Sequence, residues 1–152
     1  MLSFVSFEIK DKHFIAFLAI EGLDSSGGDP EVVLKKASKI YEEVIRRIRS
    51  IIDEIKICRA SRKTILARRI WQLGDIIFSL RDDLEKMSLQ VDNLYLHLVR
   101  DLEVKRKWLE KVVILRRYIS NENCIPKTLN WGACEKGTRR VAEKLREQSC
   151  LK

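Results

Sequence analysis

The apolar residues between Val33 and Met87 recur at steps of three and four, and that periodicity constrains this chain more than any other feature. Val33, Ala37, Ile40, Val44, Ile48, Ile51, Ile55 and Cys58 fall on one stripe, which Tyr41, Ile45 and Ile52 widen. After an interruption the pattern resumes with Leu66, Ile70, Leu73, Ile77, Leu80, Leu84 and Met87. Such spacing collects side chains on one face of a 3.6-residue helix and leaves the other face to water. A stripe this wide needs more than one neighbour, which predicts bundle helices and not a strict two-stranded coiled coil. Only 6 Gly and 2 Pro occur in 152 residues, too few for an all-β chain with many tight turns.

The first helix has a well-marked start. Asp29 can accept bonds from the free amides of the first turn, Pro30 loses nothing there by lacking an N–H, and Glu31 suits the positive end of the dipole. The helix is predicted from Pro30 to about Cys58. The run RASRK at 59–63 is the expected break, although no Gly or Pro enforces it and one long bent helix is the alternative. The second helix is predicted from Thr64 to about Met87. With the break in place the two helices make an antiparallel pair with a short connection. Gly74, in mid-helix, costs about 1 kcal/mol relative to Ala and marks a close helix crossing. Trp71 and Ile76 lie off the stripe and are expected to face neighbouring elements.

Residues 2–20 read as a β-hairpin: two apolar, β-branched and aromatic runs flank a polar turn at Lys10, Asp11 and Lys12. A lone hairpin is marginal in water and needs cover for Phe4, Phe7, Phe14, Phe17 and Leu18. A second copy of the hairpin is the favoured cover, and the chain's own helices are the alternative. The glycine-rich run 22–28 is a connector. Beyond the long pair, 88–91 reads as a linker and Asp92 as the cap of a helix over 93–102. Glu103 and Val104 form a turn, and a further helix follows over 105–119. Residues 120–123 and Pro126 interrupt the pattern. Thr128 is the expected cap of a last segment containing Leu129, Trp131 and Cys134, and a cleaner helix follows over 138–148 with Val141, Ala142 and Leu145 inward. The expected organisation is mainly α: hairpin and linker at 1–28, long helical pair at 29–88, and two short helices with a C-terminal helix at 89–152.

The region 93–119 carries the functional signal. Leu98 and Val99 are adjacent apolar residues of the first short helix and Leu102 closes it. Val104 lies in the turn, with Leu109 and Val112 five and eight positions later. This spacing resembles the helix-turn-helix, which lays a short recognition helix in the DNA major groove. Two positions depart from the family pattern: Val99 stands where a small residue is usual, and Glu103 where Gly supplies positive φ. If Leu109, Val112, Leu115 and Ile119 point inward, then Arg106, Lys107, Glu110, Lys111, Ile114 and Arg117 point outward. Lys105, Arg106, Lys107, Lys111, Arg116 and Arg117 supply cations for phosphate and base-edge contacts. Glu110 suits a cytosine amino group or an intrahelical ion pair. Trp108 borders the inward face and reads as a core residue. A second basic group, Lys136, Arg139, Arg140, Lys144 and Arg146, is expected either to touch the flanking backbone or to be an exposed helical face; the pair Arg68 and Arg69 invites the same two readings.

A longer resemblance runs through RRIWQLGDII, LVRDLEV, RRYI and LNW, covering roughly residues 65–145. These stretches look like the helical N-terminal domain of the YhcG-like proteins, which precedes a PD-(D/E)xK-type nuclease domain. The chain is too short to hold that nuclease domain as well, so the resemblance implies DNA association without cleavage and transfers no catalytic residue.

Lys and Arg number 30 against 22 acids, a formal charge of +8, which favours nucleic acid first and an anionic membrane surface second. The apolar run Phe14–Ile20 is too short to span a bilayer, and no signal-peptide cleavage site follows it. No phosphate loop or Ser/His/Asp motif is present, and the acidic pairs Asp53-Glu54 and Asp82-Asp83 fall on solvent faces. The cysteines Cys58, Cys124, Cys134 and Cys150 lack C-x-x-C spacing, and His13 and His97 are the only histidines, which argues against zinc. A Cys124–Cys134 disulfide is compatible with the spacing, while reduced, buried thiols are the plainer reading. The expectation is a cytoplasmic, non-enzymatic, cofactor-free homodimer that binds double-stranded DNA, with transcription regulation as its context. A helical module docking on a protein or nucleoprotein complex is the alternative.

Overall fold

The computed structural model describes residues 3–9, 14–20, 30–86, 89–91 and 94–150, with side chains over 35–86 and 94–148. The described chain is mainly helical. Helix α1 spans Pro30–Ala60 and α2 Ala67–Lys86, followed by α3 at Leu94–Leu102 and α4 at Arg106–Tyr118. A 3-10 turn at Glu122–Cys124, short α5 at Trp131–Glu135, α6 at Thr138–Leu145 and a π-turn at Arg146–Cys150 complete the helical part. Strands β1 (Ser3–Ile9), β2 (Phe14–Ile20) and β3 (Leu89–Val91) pair antiparallel in the order β1-β2-β3, with Val5 opposite Leu18 and Ala19 opposite Gln90. The expected linker at 88–91 is thus corrected: Leu89–Val91 pairs with the open edge of β2, whose backbone groups need partners. The turn at 10–12, the connector 22–28, the Asp29 cap, Met87 and Asp92 lie outside the described residues, as do the strand side chains.

Two units emerge. The first comprises Met1–Arg47 and Phe78–Arg106, the second Ile48–Ile77 and Lys107–Lys152. The division runs through both long helices. In the first unit Ala37, Tyr41, Val44 and Ile45 of α1, Leu80 and Leu84 of α2, and Leu94, Leu98 and Leu102 of α3 are buried. Polar groups are buried there too. The Tyr41 hydroxyl donates to Asp101, and Arg100 Nε donates to the other carboxylate oxygen at 3.1 Å. A carboxylate 7% exposed needs such partners, because its desolvation is otherwise uncompensated.

The second unit has a core of its own. Ile48, Ile51, Ile52 and Ile55 of α1, Ala67, Ile70, Leu73 and Ile77 of α2, and Leu109, Val112, Leu115, Ile119, Ile125 and Trp131 further along the chain are all buried. Each Leu or Ile withdrawn from water contributes roughly 1.5–3 kcal/mol. At the α1–α2 corner Arg62 has φ 55°, its N–H donates to Arg59 O at 3.2 Å and Lys63 N–H to Cys58 O at 2.8 Å, a Schellman arrangement that stops α1 without glycine. Across this corner Arg69 grips Glu54 through both carboxylate oxygens at 2.7 and 2.8 Å. Those bonds lower the Glu54 pKa against a weaker opposing effect of burial.

Residues 64–66, expected in α2, are not helical. Ala67 N–H donates to Leu129 O and Trp131 N–H to Ile65 O, both at 2.8 Å, so this backbone is spent on a bridge to the chain before α5. Leu66 is consequently 43% exposed and not part of the stripe. Asn130, not the expected Thr128, occupies the cap position of α5. Val141 is half-buried, whereas Ala142 and Leu145 are buried. The Cys124–Cys134 pairing does not form: Cys134 is free and buried, with its Sγ turned to Asn130 O at 3.5 Å, and Cys124 is disulfide-bonded. Burial pushes the Cys134 thiol pKa up, which makes it inert.

Gly74 sits where α2 meets α4. A Cβ there would lie 2.9 Å from Arg116 Cβ and 3.0 Å from Val112 O. Glycine's helix cost of about 1 kcal/mol is therefore outweighed by the packing it permits. Gly74→Ala is expected to destabilise the protein by about 1–3 kcal/mol despite alanine's higher helix propensity. Urea unfolding followed by circular dichroism checks this; equal or greater stability would show that α2 and α4 are not in close contact.

Candidate nucleic-acid interface

The candidate surface is the outer side of α4, and the chain that leads into it leaves α3 through a tight turn. Apolar spacing starts α3, and a backbone turn ends it. Glu103 has φ 55°, in the left-handed region. Its N–H donates to Arg100 O at 3.3 Å, and Val104 N–H donates to Val99 O at 3.2 Å. These two bonds satisfy carbonyls that the helix end leaves without partners. Positive φ thus falls on the position where the helix-turn-helix pattern places Gly, with Glu tolerated there. Leu98 and Leu102 are buried, while Val99 and Val104, both expected inside, are half-buried.

In α4 the inward set is Leu109, Val112 and Leu115, extended by Ile119, and all four are at most 1% exposed; Val113 joins them. Lys105, Arg106, Lys107, Glu110 and Arg117 are exposed, and Lys111 and Ile114 are half-buried. The six residues expected outward therefore all keep access to solvent. Trp108 is half-buried, and its indole Nε1 is buried without a hydrogen-bond partner.

Arg116, expected among the cations for DNA contact, is ion-paired within the fold. Its Nε donates to Asp75 Oδ1 at 2.9 Å and its guanidinium lies 5.2 Å from the Trp71 ring centroid. Trp71, Gly74 and Asp75 stand one turn apart on α2, so they form a cradle that holds this cation. Trp71 also donates its Nε1–H to Ile119 O at 2.7 Å, which caps the end of α4. Arg68 and Arg69 are likewise committed: Arg68 donates to Ile125 O at 2.6 Å, and Arg69 to Glu54 and Gln72.

Part of the second basic group, Lys136, Arg139 and Arg140, shares a groove with α4. Lys136, Arg139, Arg140, Lys144 and Arg146 are exposed. Lys111 and Ile114 of α4 line an open groove of about 520 Å³ together with Glu135, Lys136, Gly137, Thr138, Arg139, Arg140 and Glu143. Arg139 donates to Glu143 Oε1 at 3.3 Å and lies 5.9 Å from the Tyr118 ring, and these partners raise its pKa, Glu143 first. No local pattern links Lys111 to the distant residues that share its groove.

Chemically this surface offers cations for anionic groups. Among the described residues no cluster of three or more His, Cys, Asp or Glu could hold a metal ion, and no helix is long and apolar enough to cross a membrane. Replacing Glu103 with Gly is expected to stabilise the protein by about 1 kcal/mol, because a side chain at positive φ is strained. A rise in the thermal midpoint checks it, whereas a drop would mean that the Glu103 side chain makes a contact worth more than the strain. No protein-family model, curated protein or solved structure matches this chain.

Proposed function

We propose that this chain is a non-enzymatic double-stranded DNA-binding protein that presents α4 as the recognition helix of a helix-turn-helix and acts as a homodimeric transcription regulator. The observation that carries the reading is the corner at Glu103. Positive φ closes the turn at the position the motif demands, and an exposed cationic row, Lys105, Arg106 and Lys107, follows at once. Arg106 and Lys107 open the helix and suit base edges or phosphates, with Lys111, Arg117 and Arg140 as phosphate contacts. Glu110 stands among them as an acceptor. The finer architecture belongs to the same proposal: an N-terminal hairpin, an antiparallel long pair, and the helix-turn-helix with its C-terminal helix. The net charge of +8 and the resemblance to the YhcG-like helical domain support it. In a dimer the two recognition helices would sit about one DNA turn apart, ~34 Å.

Titration with a duplex at several salt concentrations tests the reading. With about five phosphates neutralised, log K is expected to fall against log salt with a slope of about −4 to −5. Arg106→Ala/Lys107→Ala is expected to weaken binding with no loss of helical signal. Unchanged affinity in that variant would remove α4 from the interface, and a monomeric mass by light scattering would remove the dimer.

A further inference from the structure

The groove lined by Lys111, Lys136 and Arg140 carries more cations than acids. Two half-buried arginines of the second unit are ion-paired, Arg69 to Glu54 and Arg116 to Asp75, and on the groove wall Arg139 is paired with Glu143. Lys111, Lys136 and Arg140 have no ion-pair partner among the described residues. They come from α4, the end of α5 and α6, yet line one open groove of about 520 Å³. The acids on its wall do not cancel them, because Glu143 is engaged by Arg139 and only Glu135 remains. Thr138 is not available as a ligand, since its hydroxyl donates to Cys134 O at 3.0 Å. Folding thus gathers three like charges around an opening with one unengaged acid among them, an excess of positive charge that an anion stabilises.

We infer that this groove is a seat for backbone phosphates of the duplex, separate in role from Arg106 and Lys107; the inference rests on the DNA-binding reading above. Lys111 is one helical turn beyond Lys107, so a phosphodiester chain crossing the start of α4 continues into the groove. Phosphate contacts fix position and carry no sequence information, whereas contacts to base edges discriminate. The groove therefore sets affinity and salt response, and the start of α4 sets sequence preference.

The test uses the full chain, a random-sequence duplex of about 20 base pairs and the variant Lys111→Gln/Lys136→Gln/Arg140→Gln. Each lost phosphate contact removes about 0.9 from the slope of log K against log salt, so the slope is expected to flatten by two to three units, about 2.7 for three contacts. Affinity should fall by the same factor on every duplex sequence. If the triple variant fails to fold, Lys136→Gln/Arg140→Gln, at two exposed positions, should still flatten the slope by about 1.8. An unchanged slope alongside weakened binding by Arg106→Ala/Lys107→Ala would overturn the seat and leave the DNA reading standing. No duplex binding by the unaltered protein at low salt would overturn both. Inorganic phosphate bound more tightly than duplex, and lost in the triple variant, would overturn the diester assignment in favour of a free phosphate site.

Discussion

How near α4 can come to α2 governs the second unit. The limit is set at Gly74, where any side chain would press on Arg116 and on the carbonyl of Val112. With that space free, Leu109, Val112, Leu115 and Ile119 reach a core already formed by Ile70, Leu73 and Ile77. At roughly 1.5–3 kcal/mol for each buried aliphatic side chain, their burial outweighs the helix cost of one glycine several times over. The outward set follows from the inward one. Once Leu109 and Val112 are committed, helical geometry leaves Arg106, Lys107 and Glu110 in water. The cationic surface is a consequence of where the apolar side of α4 is seated.

Charge is distributed in two classes on this chain. Glu54, Asp75 and Glu143 each hold an arginine, and these pairs clamp a corner, a helix crossing and a short helix. Partly exposed pairs of this kind contribute little stability each, on the order of 0–1 kcal/mol. Their larger effect is to remove those arginines from the set free to meet a partner. Lys105, Lys107, Lys111, Arg117, Lys136 and Arg140 remain without such commitments among the described residues. Most of them sit near the start of α4 or around its groove.

Much of this was legible in the sequence where the signal is local. The stripes of α1 and α2, the inward set of α4 and the meaning of Gly74 all come from spacing, which any helix of that sequence obeys. The break near 59–63 was also readable, although the residue that makes it, Arg62 at φ 55°, gave no hint, because arginine seldom adopts that conformation. What escaped depends on partners distant along the chain. Arg116 is 41 residues from Asp75 and looked like any other surface cation. Residues 64–66 looked helical until the bridge to Leu129 and Trp131 was seen. Leu89–Val91 is three residues long, too short to announce a strand except by the β2 edge that it pairs with. The shared groove of Lys111 with Lys136 and Arg140 is likewise a product of tertiary structure and not of pattern.

Backbone amide chemical-shift mapping during titration with duplex DNA at low salt tests the central claim most directly, because it reports contact residue by residue and separately from stability. The largest shifts are expected at Lys105, Arg106, Lys107 and Lys111, with a second set at Lys136 and Arg140, and little change at the exposed apolar residues Ile57 and Leu66. Shifts centred on Ile57 and Leu66, or none anywhere at saturating duplex, would contradict it.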